Sequence, residues 1–286
     1  MYLAAPSLYD WPEIRRDTNA CWHLIADALR ASGVPAPRDL TRDRSLDDLW
    51  RDHALLFGQT CGYPYVTRLR RTVQLVGTPC YAVDGCEGPS YKSFLVVRRD
   101  HADCTLEALR GHRVAVNAQD SQSGYSALRH LIAPLARHGW FFGDTVITGS
   151  HRASMRAVAH GHADLCAVDA VCWELAARHD PAIRTRLRVV AETYPAPGLP
   201  LICARSIPDD VVDRLRSVVS QVLNRGLPSA IRHALCIAGI QWVPDLAYNR
   251  ILEMETEAAA RGFPELDWCH PYQPDTNTPI GSIPAL

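Results

Sequence analysis

"VAVNAQDSQSGYSALRHLI", residues 114–132, reads as an apolar strand, a polar turn and then a helix. The first turn of that helix carries Ser121, Gln122, Ser123 and Gly124. Three readings compete there. Asp120 or Ser121 can cap the helix, a side-chain oxygen accepting from a first-turn N–H. The same turn can hold an anion: its unpaired N–H groups sit at the positive end of the helix dipole, the serines add hydroxyl donors, and Gly124 lets the backbone come close. Capping and binding are compatible. In the third reading Ser123 is a nucleophile, but a nucleophile elbow needs glycine two residues earlier, where this chain has Ser121. The stretch also lacks the glycine fingerprint of a dinucleotide fold and the Gly-Lys-Ser/Thr of a P-loop.

Outward from this stretch, strand-like and helix-like segments alternate. "MYLAAPS", "HALLFGQT", "TVQLVGTPCYA", "SYKSFLVVRRD", "DTVITGS" and "ADLCAVD" predict strands. Helices are predicted over about 15–32 and in "SLDDLWRD", "HRASMRAVAHG" and "AVCWELAARH". "RLRVVAETYPAPGLPLICAR" reads as strand, Pro-rich turn and strand, and "PDDVVDRLRSVVSQVLNRG" as a helix with Pro208 near its start and Gly226 at its end. A last helix is expected over about 244–260. Such alternation argues for an α/β fold with helices flanking mainly parallel sheets. Two extended segments, about 90–98 and 196–204, bracket a self-contained block at 105–192. The expected layout is therefore two-lobed. Lobe 1 comprises 1–97 and 197–267, lobe 2 is the inserted 98–196, two strands cross between them, and 268–286 form a Pro-rich tail that lies along the surface or is disordered. A cleft between lobes is where a ligand binds.

The 286 residues, 47% hydrophobic and 21% charged, provide ample core. A net charge of −1 lacks the basic footprint of a nucleic-acid binder. No apolar run reaches the roughly 18 residues of a membrane span. "MYLAAPSLYDWPEIRR" has no basic n-region, and its apolar run breaks at Pro6, Asp10 and Pro12, so the expectation is a cytoplasmic chain, or a periplasmic one if a leader has been removed. Ten scattered cysteines without C-x-x-C read as mostly buried free thiols, although Cys80 and Cys86 are close enough to pair in an oxidising compartment. His160, His162 and Cys166 fall within metal-ligand range, but Gly161 reads as the stop of the preceding helix and Cys166 as part of the next strand. No metal or cofactor is expected.

Four stretches carry a resemblance: "FGQTCGYPYV", "SYKSFLVVRRD", "LRGHRVAVNAQDSQSGYSALRHLI" and "ITGSHRASMRAVAHGHADLCAVD", in that order over about 57–170. They resemble the phosphonate-type substrate-binding proteins of ABC transporters, which share the type II periplasmic-binding-protein fold. The resemblance implies a non-catalytic protein that holds a small phosphonate-like or other oxyanion ligand in an interlobe cleft, closes about a hinge, and serves an ABC transporter permease. In the family a Ser/Thr-rich turn ending in Gly grips the oxyanion. The matching residues here are Ser121, Gln122, Ser123 and Gly124, with Gln122 where members often carry threonine. His151, in "GSHRAS", matches a ligand-contacting histidine, and Asp169 stands where the family often places a polar or acidic contact.

Read from the residues alone, His151 can equally cap the helix that follows it, and Asp169 the helix "AVCWEL". Gln59, Thr60 and Tyr63, with Tyr9 after the first strand and Tyr91 at the first crossing, are candidates for the remaining walls. Turn chemistry explains "GQTCGYPY" equally well. An aspartate facing the site favours a zwitterionic or hydroxyl-bearing ligand over a bare anion. Two other classes stay open: a cytoplasmic enzyme of cofactor metabolism using His151, Asp169 and Cys61, and a cytoplasmic ligand sensor.

Overall fold

The computed structural model describes residues 1–102, 105–266 and 269–271. Among these residues the strands form three sheets. In the first, five-stranded, the order is Leu3–Ala4, Leu55–Gln59, Leu201–Ala204, Val73–Tyr81 and Ile237–Gln241. Only the pairing of Leu3–Ala4 with Leu55–Gln59 is parallel; the others are antiparallel. In the second, six-stranded, the order is Leu187–Glu192, Ser93–Arg98, Leu165–Asp169, Arg113–Val116, Asp144–Ile147 and Cys269–Pro271. Its first two pairings are antiparallel and the rest parallel. The expectation of mainly parallel sheets thus fits the second sheet and needs correcting for the first. Parallel neighbours require a crossover connection within one sheet. Leu201–Ala204 instead arrives from the other sheet and slots between Leu55–Gln59 and Val73–Tyr81, antiparallel to both.

Local pattern and packing agree in the second sheet. Leu165–Asp169 is buried along its whole length, which is why "LCAVD" reads as a continuous apolar run. The alternation along its neighbour sorts side chains by face. Leu95 and Val97 join Val114 and Val116 in one core, while Phe94 and Val96 join Ala115 and Val146 in the other. On the first sheet the helix Arg15–Ala31 buries Cys21, Trp22, Ile25, Ala26 and Leu29, the stripe its helical spacing demands, and Gly33 at φ 86° follows its end.

The chain passes between the sheets twice, and the two passages are paired. Ser90–Tyr91 lies antiparallel to Ala196–Pro197 in a small third sheet with Cys86–Glu87. Next to it, the Thr193 N–H donates to the Ser93 carbonyl, and the Ser93 N–H donates to Thr193 Oγ1, both at 2.9 Å. The last long helix, Asn249–Ala260, packs against the helical run that starts at Gln122. Ala258 joins the core of the six-stranded sheet, and His130 meets Glu257 at 2.7 Å. Of the expected tail, only Cys269–Pro271 is described, as a strand parallel to Asp144–Ile147; the rest of 268–286 lies outside the described residues, as does Cys104. Cys80 and Cys86 carry free thiols. Among the described residues no helix is long and apolar enough to cross a membrane.

Gln59 ties this frame together. Its Oε1 accepts from Ser7 Oγ (2.6 Å) and the Leu8 N–H (3.1 Å), and its Nε2 donates to Tyr81 Oη and the Leu199 carbonyl, both at 3.2 Å. Gln59→Leu strands those partners, the Leu199 carbonyl in a buried place and the others partly buried, and should cost about 1–3 kcal/mol, read as a lower urea midpoint. An unchanged midpoint would remove Gln59 from its role at this junction.

Candidate ligand-binding cleft

The strand Arg113–Val116 ends at Asn117, and the chain turns into a helical run made of Gln122–Ser126 and Ala127–Ile132. Ser121 is its extended cap, with Oγ accepting the Gly124 N–H at 3.1 Å. The Gln122 N–H donates to Cys61 Sγ (3.3 Å), and its side chain turns away to Met254 Sδ (3.6 Å). What the turn offers outward is the hydroxyls of Ser121 and Ser123, 3.4 Å apart, and Ser123 Oγ lies 2.8 Å from His151 Nε2. His151 begins the helix His151–Ala159 but does not cap it; Ser150 does, through Oγ to the Ala153 N–H at 3.1 Å.

These groups face a cleft of about 510 Å³. Asn117, Ser121, Ser123, His151 and Asp169 line it from elements of the six-stranded sheet, and Tyr9, Trp11, Trp50 and Cys61 from the other side. Asp169 both lines the cleft and caps a helix. Its Oδ1 accepts the N–H groups of Val171 (2.7 Å) and Cys172 (3.3 Å), and its Oδ2 accepts Tyr9 Oη at 2.8 Å across the cleft. Burial raises the Asp169 pKa to about 6, against the pull of those donors. Burial also lowers His151 to about 4, with the Ala167 carbonyl working in the other direction, so its ring is neutral at physiological pH.

The charged groups on the rim are paired. Asp10 holds Arg42 at 2.6 Å, Asp120 holds Arg68 at 2.6 Å, and Arg152 meets Glu13 at 2.9 Å while stacking over Trp11. Two of these pairs, Arg68–Asp120 and Glu13–Arg152, bridge the cleft, as does Tyr9–Asp169. The cleft therefore presents neutral donors at one end and a carboxylate with aromatic rings at the other.

Not every residue named from the sequence lines this cleft. Gln59 is fully engaged at the junction described above, and Thr60 is buried with its N–H on the Pro200 carbonyl. Tyr63 points to Glu255 on the last helix at 2.8 Å. Tyr91 sits buried in the paired crossing, but its phenol reaches towards Ser123, Cys61 and Asp169, and its pKa is pushed up by burial and then by Cys61 and Asp169. Gly124 lies behind the serines, and a Cβ there would fall 1.9 Å from Asn117 Oδ1. Sequence reasoning passed over Asn117, although its place as the last residue before the turn was a signal. It also passed over Trp11, Trp50 and Arg152, which only the approach of the opposite side brings in.

The paired crossings and the donor-lined cleft define a two-lobed small-molecule binding protein. Residues 48–232 match the family described as ABC transporter, phosphonate, periplasmic substrate-binding protein, and the chain belongs to that family. It is a solute-binding protein. Among solved structures it is similar to PhnD1 from Prochlorococcus marinus in complex with methylphosphonate, at TM-score 0.69 and 16% identity over 90% of this chain and 98% of that one. It is also similar to a binding protein component of an ABC phosphonate transporter from Pseudomonas aeruginosa, at 0.68 and 16% over 86% and 83%. A Xanthomonas citri protein bound to chloride ion follows at 0.67 and 16% over 91% and 98%. At such identity the likeness is one of fold, and the periplasmic-binding-protein-like fold expected from the sequence is the fold observed. No curated protein matches the chain.

Gly124→Ala must displace Asn117, so it should weaken ligand binding by a factor of ten or more in titration calorimetry while circular dichroism stays native. Asp169 gives a pH signature. Its folded pKa of about 6 exceeds the unfolded value near 3.8, so the folded state binds the extra proton between them, and stability falls as pH rises through that window. Asp169→Asn should flatten this fall, worth roughly 2–3 kcal/mol, in urea melts at pH 4 and pH 7. Parallel wild-type and variant profiles would contradict the assignment.

Proposed function

We propose that this protein captures a small phosphonate-like zwitterion, an aminoalkyl phosphonate rather than free phosphate, and delivers it to an ABC permease without altering it. The observation that carries this reading is the opposition, across one cleft, of the Ser121, Ser123 and His151 donors to the Asp169–Tyr9 pair. The phosphonate group takes the two hydroxyls and the neutral imidazole at the helix start. The amine takes the Asp169 carboxylate, with Tyr9 and Trp11 beside it. Capture proceeds by closure of 98–196 onto 1–97 and 197–267 about the paired crossings. The compartment that fits the family is the periplasm.

Ser123 and His151 at 2.8 Å invite an enzymatic reading. Two facts weigh against it. A histidine with a pKa of about 4 is a poor general base at neutral pH, and its Nδ1 meets no carboxylate among the described residues. The Cys61 thiol is pushed up by burial, away from the reactive thiolate. Mass spectrometry of a bound aminoalkyl phosphonate after long incubation should return it unchanged; conversion would select the enzyme.

Thermal-shift and calorimetric series test the ligand class. 2-Aminoethylphosphonate should raise the melting temperature more than phosphate does, and Ser123→Ala should lower its affinity by about 1–3 kcal/mol. Its affinity should also drop between pH 7.5 and pH 5, as Asp169 takes up a proton, and Asp169→Asn should lessen that drop. Equal stabilisation by phosphate would make Asp169 a helix cap and leave the ligand a simple oxyanion.

A further inference from the structure

The strands of the six-stranded sheet end at two poles. Ser93 pairs with Asp169 at the cleft, and the same strand ends five residues later at Arg98, about 16 Å away at the usual rise per residue. Around that far pole lies a surface recess of about 480 Å³ lined by Arg98, Arg99, Asp100, Ala159, Thr185 and Arg186.

Strand register concentrates the positive charge there. Arg98 is opposite Leu187, and the Arg99 N–H donates to the Arg186 carbonyl at 2.7 Å, so Arg99 and Arg186 face each other across the ladder's end. Like charges directly opposite destabilise an antiparallel pair. The lining holds one carboxylate, Asp100, which is 3.1 Å from Arg98. Arg99 directs its donors to the carbonyls of Thr185 and Leu187, and Arg186 has no carboxylate partner among the described residues. Of the neighbouring carboxylates, Asp180 is committed to Arg152 and Arg156, while Asp164, next to the Val97–Leu165 pair, accepts the Arg113 N–H and keeps its charge. His160 is pushed below its ordinary pKa by burial and then by Arg186, and Arg184 by burial and then by Arg99.

We propose that Arg186, with the partly engaged Arg98 and Arg99 beside it, forms a second anion site, separate from the cleft, that takes a multiply charged phosphate-type group. Guanidinium forks match phosphoryl oxygens in pairs, and an exposed recess of this size admits a diphosphate or a lipid phosphate headgroup. The site is independent of what the cleft binds.

Inorganic pyrophosphate is the probe, titrated by calorimetry at low ionic strength. Wild type and Ser123→Ala should bind it alike, Arg186→Gln should lose tenfold or more, Arg186→Lys should fall between, and added salt should weaken binding. A sedimentation arm uses phosphatidylglycerol–phosphatidylcholine vesicles against pure phosphatidylcholine. Pelleting with the anionic vesicles alone, abolished by Arg186→Gln, assigns the site to a lipid headgroup. Pyrophosphate binding without pelleting assigns it to a free anion. The proposal is overturned if wild type binds neither probe, if Arg186→Gln binds as wild type does, or if Ser123→Ala rather than Arg186→Gln removes the binding.

Discussion

The two passages of the chain between its sheets are hydrogen-bonded to each other, Tyr91 opposite Ala196 and Ser93 against Thr193, and the cleft takes its form from that pairing. One passage alone would be a flexible tether. Two that share a ladder fix each other's course between the sheets. The strands Arg113–Val116 and Leu165–Asp169 then deliver Asn117 and Asp169 to the edge nearest the crossings, where α/β sheets place their ligands.

The chemistry at that edge rests on keeping charges neutral or paired. Burial lowers the His151 pKa to about 4, so its neutral ring stands beside the serine hydroxyls as a dipole rather than a charge. Asp169 is held by two backbone N–H groups and one phenol, yet burial still raises its pKa to about 6. A carboxylate in that state is poised to be stabilised by an arriving cation. The rim cations, by contrast, are engaged with Asp10, Asp120 and Glu13.

Much of this was legible in the residues. The strand–turn–helix at 114–132, the strand "LCAVD" and the helix Arg15–Ala31 each obey a local period, and local periods survive in one dimension. Ser121, Ser123, His151 and Asp169 were readable because each sits beside a strand or helix end. Gln59 and Tyr63 were less so. In the sequence their polar ends read as ligand contacts, whereas the fold supplies protein partners 22 to 192 positions away in the chain.

The sequence by itself determined the α/β class, the two crossings and the capped, serine-bearing turn, because helix periodicity, strand runs and cap preferences are properties of neighbouring residues. Tertiary structure alone decided the mixed direction of the first sheet, the service of Asp169 as both helix cap and cleft wall, and the meeting of Arg99 with Arg186. Each of these depends on which distant segments lie side by side. That is set by the burial of whole faces against one another, a sum over the chain that no local pattern contains.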